Sequence, residues 1–151
     1  LTLSEFEDKV KAGLIRHVGF EESIQLIAAA WGVKLSKIEE RVLPVMATRP
    51  LESQFVKLSP GQVCGLNQIA QGFVNDKAVI TLNLQAYFGH PHPQERILIQ
   101  GQPPLEMVIP GGIPGDVATC AMTVNAISRV ASAPAGLRTM LDVGLTSSLF
   151  C

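Results

Sequence analysis

One segment leaves little choice of structure. From Ala78 to Phe88 the chain alternates without interruption. Ile80, Leu82, Leu84, Ala86 and Phe88 fall on one side, and Thr81, Asn83, Gln85 and Tyr87 on the other. A period of two belongs to a β-strand with one dry face; a helix would scatter the same residues around its circumference. A second extended run, Gln62–Phe73, precedes it, and Asn75-Asp76 lies between them. Residues that tolerate left-handed backbone between two strands predict a long hairpin. The polar side of Ala78–Phe88 carries amides and hydroxyls but no charge. A plainly solvated face would more usually carry Lys and Glu. A wet cavity, a subunit interface and a satisfied polar surface all fit this pattern.

Helices are expected on either side of the hairpin. Ser4-Glu-Phe-Glu7 has the spacing of a capping box, and Gly13 ends the short helix that follows. Phe20, Ile24, Ile27, Ala28 and Trp31 recur at helical spacing up to Gly32, which predicts a second helix with Trp31 in the core. Ile38–Ala47 reads as a strand, and Pro44 places it at an edge or at a bulge because proline cannot donate to a ladder. Arg49–Gly61 reads as loop with a short strand near Phe55-Val56. Arg96–Gln100 and Leu105–Ile109 read as two further strands. A helix from about Asp116 to Ala131, capped by Asp116, breaks at Ala133-Pro-Ala-Gly136, and Leu137–Leu141 adds a last turn. The class is α+β: a mostly antiparallel or mixed sheet with helices on one face, built as one domain over 1–151.

Composition removes several functions. The net charge is −1 and there is no basic run, so a phosphate backbone finds nothing to bind. No apolar run approaches the length of a membrane span. The three cysteines, Cys64, Cys120 and Cys151, have neither zinc spacing nor a preceding targeting sequence. That pattern predicts reduced thiols in the cytoplasm and no metal site. The chain opens at Leu1, close to a helix cap, which is the expectation for a piece of a longer protein.

Chemistry-bearing residues are few. Val108-Ile-Pro-Gly-Gly-Ile-Pro-Gly-Asp116 ends a strand and delivers the chain to a helix N-terminus. Such a junction can aim backbone N–H groups of Gly111, Gly112 and Gly115 at an anion or a carbonyl oxygen; a plain strand-to-helix turn is the simpler reading. Thr119 and Thr123 lie four apart on one face of the helix. Their default is back-bonding to the preceding turn, and their functional alternative is a hydrogen bond to a ligand over the helix mouth. His17, on a glycine-flanked loop before a helix, can bind a substrate carboxylate or move a proton, or simply be structural. His90 and His92 flank Pro91 at the end of the polar-faced strand. No GxGxxG fingerprint, Walker lysine or nucleophile elbow is present, so the chain lacks an evident catalytic engine of its own.

Several strings together resemble one family. They are Leu1-Thr-Leu-Ser-Glu-Phe6, His17-Val-Gly-Phe-Glu-Glu-Ser23, Ala28-Ala-Ala-Trp-Gly32, Ile38-Glu-Glu40 and Gly61-Gln-Val-Cys-Gly65. To these are added Val108–Thr119, Val124-Asn-Ala-Ile127, Ala133-Pro-Ala-Gly-Leu137 and Thr139-Met-Leu-Asp142. The set is similar to the C-terminal domain of the 2,4-diaminopentanoate dehydrogenases. Native NAD(P)H-dependent amine dehydrogenases and, more distantly, dihydrodipicolinate reductase are relatives of that family. Pro-Gly-Gly-x-Pro-Gly-Asp is the most specific element. The resemblance implies a dihydrodipicolinate reductase-like substrate-binding and dimerisation domain whose NAD- or NADP-binding Rossmann domain lies upstream. It implies reversible oxidative deamination of an amine or amino acid by the intact protein, a homodimer, and no activity or cofactor binding for this chain alone. His17, His90, Gly111, Gly112, Gly115, Thr119 and Thr123 become the expected substrate-binding residues, and the catalytic residues would lie upstream. Two alternatives stand beside it: a dihydrodipicolinate reductase-like imine reductase domain, and a non-enzymatic binding or oligomerisation module.

Overall fold

The structure is a computed structural model and describes residues 1–144; Cys151 lies outside the described residues. The chain divides into two compact units, Leu1–His90 and Pro91–Cys151.

The first unit is organised by a three-stranded antiparallel sheet in the order β1-β4-β5, with β1 at Lys37–Met46, β4 at Val63–Val74 and β5 at Lys77–Tyr87. The expected hairpin is β4–β5. Its turn residues Asn75 and Asp76 both have positive φ, 48° and 63°, as a two-residue turn between right-twisted strands requires. Pro44 stands on β1, which pairs only with β4 and carries an irregularity between Val45 and Met46. The register is Ile38 opposite Gly72 opposite Ile80, then Glu40–Ala70–Leu82 and Val42–Gln68–Leu84. Paired residues share a face, so these rows form the inward side.

Two helices precede the sheet: α1 at Leu3–Lys11 and α2 at Phe20–Ala30. α2 packs on β4 and β5. Ile24 and Ala28 are buried with Ala70 and Ile80, and Phe20, Ile27, Leu35, Ile38 and Leu82 close around them. Full burial of a side chain the size of Ile24 contributes about 1.5–3 kcal/mol. Gly72 lets the helix approach: a Cβ there would stand 2.8 Å from Ile24 Cγ2 and 3.0 Å from Leu35 Cδ1. Trp31 does not join this core. It follows the last turn of α2 and is 54% exposed, while Leu35, past the turn at Gly32, packs against the cluster instead.

The cap of α1 is Thr2, not Ser4. Thr2 is extended and accepts from the Glu5 N–H, and the Glu5 carboxylate accepts from the Thr2 N–H at 2.8 Å. Ser4 therefore lies inside the helix. The expected strand at Phe55-Val56 is a turn, because Ser53 Oγ accepts from both amides at 3.2 Å. Strands form on either side of it, β2 at Leu51–Glu52 and β3 at Lys57–Leu58, paired antiparallel.

The second unit holds the hairpin β6–β7, Gln94–Ile99 with Leu105–Pro110, then α3 at Gly115–Ser132 and α4 at Met140–Val143. The last turn starts later than expected because Thr139 and Asp142 form a capping box that sets its first residue. No residue of α3 is buried within the chain. Val117, Val124, Ile127 and Val130 on α3, with Ile97, Leu98, Leu105 and Met107 on the hairpin, are exposed.

Candidate functional site

His17 lies on the loop between α1 and α2, and its main chain is gripped from the sheet. Gln68 Oε1 accepts from the His17 N–H at 2.6 Å, and Gln68 Nε2 donates to the His17 carbonyl at 2.8 Å. This is the double exchange that a neighbouring strand makes with one residue, performed here by a side chain. The second Nε2 hydrogen goes to Glu40 Oε1 at 2.7 Å. A carboxylate only accepts, so Glu40 selects the orientation of the Gln68 amide. Gln68 is fully buried, and its amide is satisfied at both ends. The His17 ring stays exposed and meets the Phe20 ring in an edge-to-face arrangement, with centroids 5.1 Å apart.

His90 belongs to the opposite side of the sheet. Its Nε2 lies 3.0 Å from Gln85 Oε1, and its ring is 4.6 Å from that of Tyr87. Gln85 alternates with inward Leu84, so it points outward. The two histidines of this unit therefore do not meet. The outward face is made of Gln71–Thr81, Ile69–Asn83 and Asn67–Gln85 rows, with Glu39 and Arg41 confined to edge strand β1. Asn67 Oδ1 is buried there without a hydrogen-bond partner among the described residues.

In the second unit part of the glycine loop's amide supply is already engaged by the hairpin. The Gly111 N–H donates to the Pro93 carbonyl at 2.8 Å, and the Gly112 N–H to the Ile109 carbonyl at 3.1 Å. Both glycines have positive φ, 82° and 75°, which turns the chain out of β7. The helix cap is Pro114 rather than Asp116 and supplies no side-chain bond. Asp116 sits in the first turn instead, where its charge complements the helix dipole. The first intrahelical bond runs from Ala118 N–H to Pro114 O, so the amides of Gly115, Asp116 and Val117 precede the ladder. Thr123 Oγ donates back to the Thr119 carbonyl at 2.8 Å.

Sequence reasoning missed Gln68 and Glu40. The signal was present: Gln68 shares its side of β4 with Leu66, Ala70 and Gly72, so a polar residue interrupts an otherwise dry row. Among the described residues, no group of three or more His, Cys, Asp or Glu could hold a metal ion, and no helix is long and apolar enough to cross a membrane.

The chain resembles known proteins along its whole length. Residues 1–151 match the family described as the 2,4-diaminopentanoate dehydrogenase C-terminal domain. A 2,4-diaminopentanoate dehydrogenase of Acetoanaerobium sticklandii is 32% identical over 95% of this chain and 42% of its own length. An amine dehydrogenase from Mycobacterium smegmatis shares the fold, with a TM-score of 0.78 and 24% identity over 98% of this chain and 45% of that one. The chain thus spans less than half the length of either relative. Matched from its first residue to its last, it belongs to the 2,4-diaminopentanoate dehydrogenase C-terminal domain family.

Proposed function

We propose that the chain is the substrate-binding and dimerisation domain of an NAD(P)-dependent oxidoreductase. The reaction is reversible oxidative deamination of an amine or diamino acid such as 2,4-diaminopentanoate. Amine, water and NAD(P)+ give ketone, ammonia, NAD(P)H and a proton. The observation that carries this reading is the family match over all of 1–151, joined by the name of the Acetoanaerobium sticklandii relative.

The described strands all pair antiparallel, so the described residues build no parallel crossover of the kind that holds a dinucleotide. By its likeness to the family, we assign the nicotinamide cofactor, which supplies the hydride chemistry when bound, to a part of the protein outside this chain. This chain contributes substrate contacts. In the second unit, the uncapped amides of Gly115, Asp116 and Val117 suit a substrate carboxylate, with Gly111 and Gly112 shaping the loop and the Thr119 hydroxyl on the same helix; the Thr123 hydroxyl, which donates to the Thr119 carbonyl, can take part only as an acceptor. In the first unit, the exposed His17 imidazole can donate to a substrate oxygen. His90, held by Gln85, is a separate polar contact on the outward face. The assigned compartment is the cytoplasm, and the net charge of −1 leaves nucleic acid out of the reading.

The test is NAD(P)H turnover by the full-length protein with 2,4-diaminopentanoate and with 4-oxo acids plus ammonium. No turnover across that class counts against the reading, and turnover of dihydrodipicolinate would replace it. Gly115→Pro probes the helix mouth. Proline is tolerated at a first helical position, and Pro114 is already extended, so one donor is lost while the helix remains. KM for the carboxylated substrate should rise several-fold while KM for the cofactor stays constant.

The homodimer is assigned to the outward face of the β1-β4-β5 sheet. Amides and hydroxyls both donate and accept, so Thr81, Asn83 and Gln85 can pair with the polar groups of the same face of a second copy across a two-fold axis without like-charge repulsion. Asn83→Lys with Gln85→Lys places four like charges in that interface and should convert dimer to monomer in light scattering; an unchanged mass would move the interface elsewhere.

A further inference from the structure

We propose that Gln68 is a positioning residue for His17 and that Glu40 sets the direction of its grip. The proposal rests on the reading of His17 as a substrate contact. The loop between α1 and α2 belongs to no strand ladder among the described residues, yet His17 has both main-chain groups engaged by one side chain 51 positions away. Gln68 stands in the middle strand of the sheet, between β1 and β5, where its backbone is held on both sides. It is fully buried, so its amide has no water to turn to if His17 moves. A buried amide that must stay paired is a stringent constraint on the partner it pairs with.

The direction matters as much as the bond. An amide can present its oxygen or its nitrogen to either side. Glu40, one row along on β1, accepts from Nε2 at 2.7 Å and so turns Oε1 toward the His17 N–H. Reversal would set Gln68 Oε1 against the Glu40 carboxylate and the amide NH2 against the His17 N–H. The chain of dependence runs from Glu40 to Gln68 to the His17 main chain, and thence to an imidazole that packs edge-to-face with the Phe20 ring. Neither Gln68 nor Glu40 is thereby a catalytic residue; both act through the position of His17.

The test uses two readouts. In this chain, amide hydrogen exchange at His17 and the ring-proton shifts of His17 are followed for Gln68→Leu, Glu40→Leu and Glu40→Gln, with the Ala70 amide as a control for the sheet. Gln68→Leu should speed His17 exchange at least tenfold and shift the His17 ring resonances while Ala70 stays protected. Glu40→Leu should do so partially. Glu40→Gln, which keeps an acceptor, should leave His17 protected. In the full-length protein, Gln68→Leu should raise KM for the amino-acid substrate several-fold, with KM for NAD(P) unchanged. Where Gln68→Leu also exposes Ala70, Glu40→Leu decides the matter. Unchanged His17 exchange in both leucine variants overturns the proposal, and so does altered exchange with unchanged substrate KM. Failure of the wild-type protein to turn over any amine overturns the function proposed above, and the exchange data, which need no substrate, tell that result apart from failure of the grip.

Discussion

Gly72 and Ile24 face each other so closely that one hydrogen on Gly72 is all the space between sheet and helix allows. A Cβ would fall 2.8 Å from Ile24 Cγ2. Gly72→Ala must therefore push α2 outward or turn Ile24 off its rotamer, at a cost of about 1–3 kcal/mol. Ile24→Ala should cost about 2–5 kcal/mol through its cavity. The double variant should be less destabilised than the sum, since the new methyl occupies part of the space Ile24 vacates. Urea midpoints for the four proteins check this, and strict additivity would mean that the two positions do not touch.

Asp76 is the second turn residue of the β4–β5 hairpin, with φ 63°. A non-glycine residue pays a steric penalty there that glycine does not. Asp76→Gly should raise stability by roughly 0.5–1 kcal/mol because Asn-Gly is the preferred pair for this turn. The lost ion pair to Lys37 spans 3.8 Å at a 93% exposed side chain and weighs little against that gain. Thermal denaturation of the variant checks the sign.

The glycine loop contains two kinds of glycine. Gly111, at φ 82°, should lose about 1–2 kcal/mol on replacement by alanine, the cost of a left-handed L-residue. Gly115 has helical backbone and open space where a Cβ would go, so Gly115→Ala should leave stability unchanged or slightly improved. Equal effects from the two variants would contradict this assignment of backbone roles.

The cap of α1 is acid-sensitive. The Thr2 N–H, and then its hydroxyl, hold the Glu5 carboxyl below its ordinary value of 4.5. A depressed carboxylate pKa stabilises the folded state above the ordinary value, and that contribution is lost as pH falls through the lower, folded-state value. Helix α1 should therefore fray as the pH falls from the ordinary glutamate range through the lower folded-state value. Thr2→Ala, which removes the hydroxyl but keeps the main-chain N–H, should weaken the pH dependence without abolishing it, which an NMR titration of Glu5 would follow.

The repeating patterns were legible from the sequence. Alternation in Ala78–Phe88 determined a strand and its dry face, and Asn75-Asp76 determined the turn, because both are local properties of a few consecutive residues. The glycine loop was legible in the same way, as a break between strand and helix. Local choices one or two residues apart were not. Thr2 and Ser4 are both capping residues, and Ser53 took the amides that a strand at Phe55-Val56 needed.

What only the tertiary structure decided is which residues meet. Gln68 and His17 are 51 positions apart, and no period or motif links them until β4 lies beneath the loop. Tertiary structure likewise sent His17 and His90 to opposite faces of one sheet, consumed the Gly111 and Gly112 amides, and left Gly115–Val117 uncapped. The sequence by itself determined the elements, because each is stabilised by its own neighbours in the chain. The candidate contacts depend on pairing across the fold, where a buried polar group takes whichever partner the packing brings within reach.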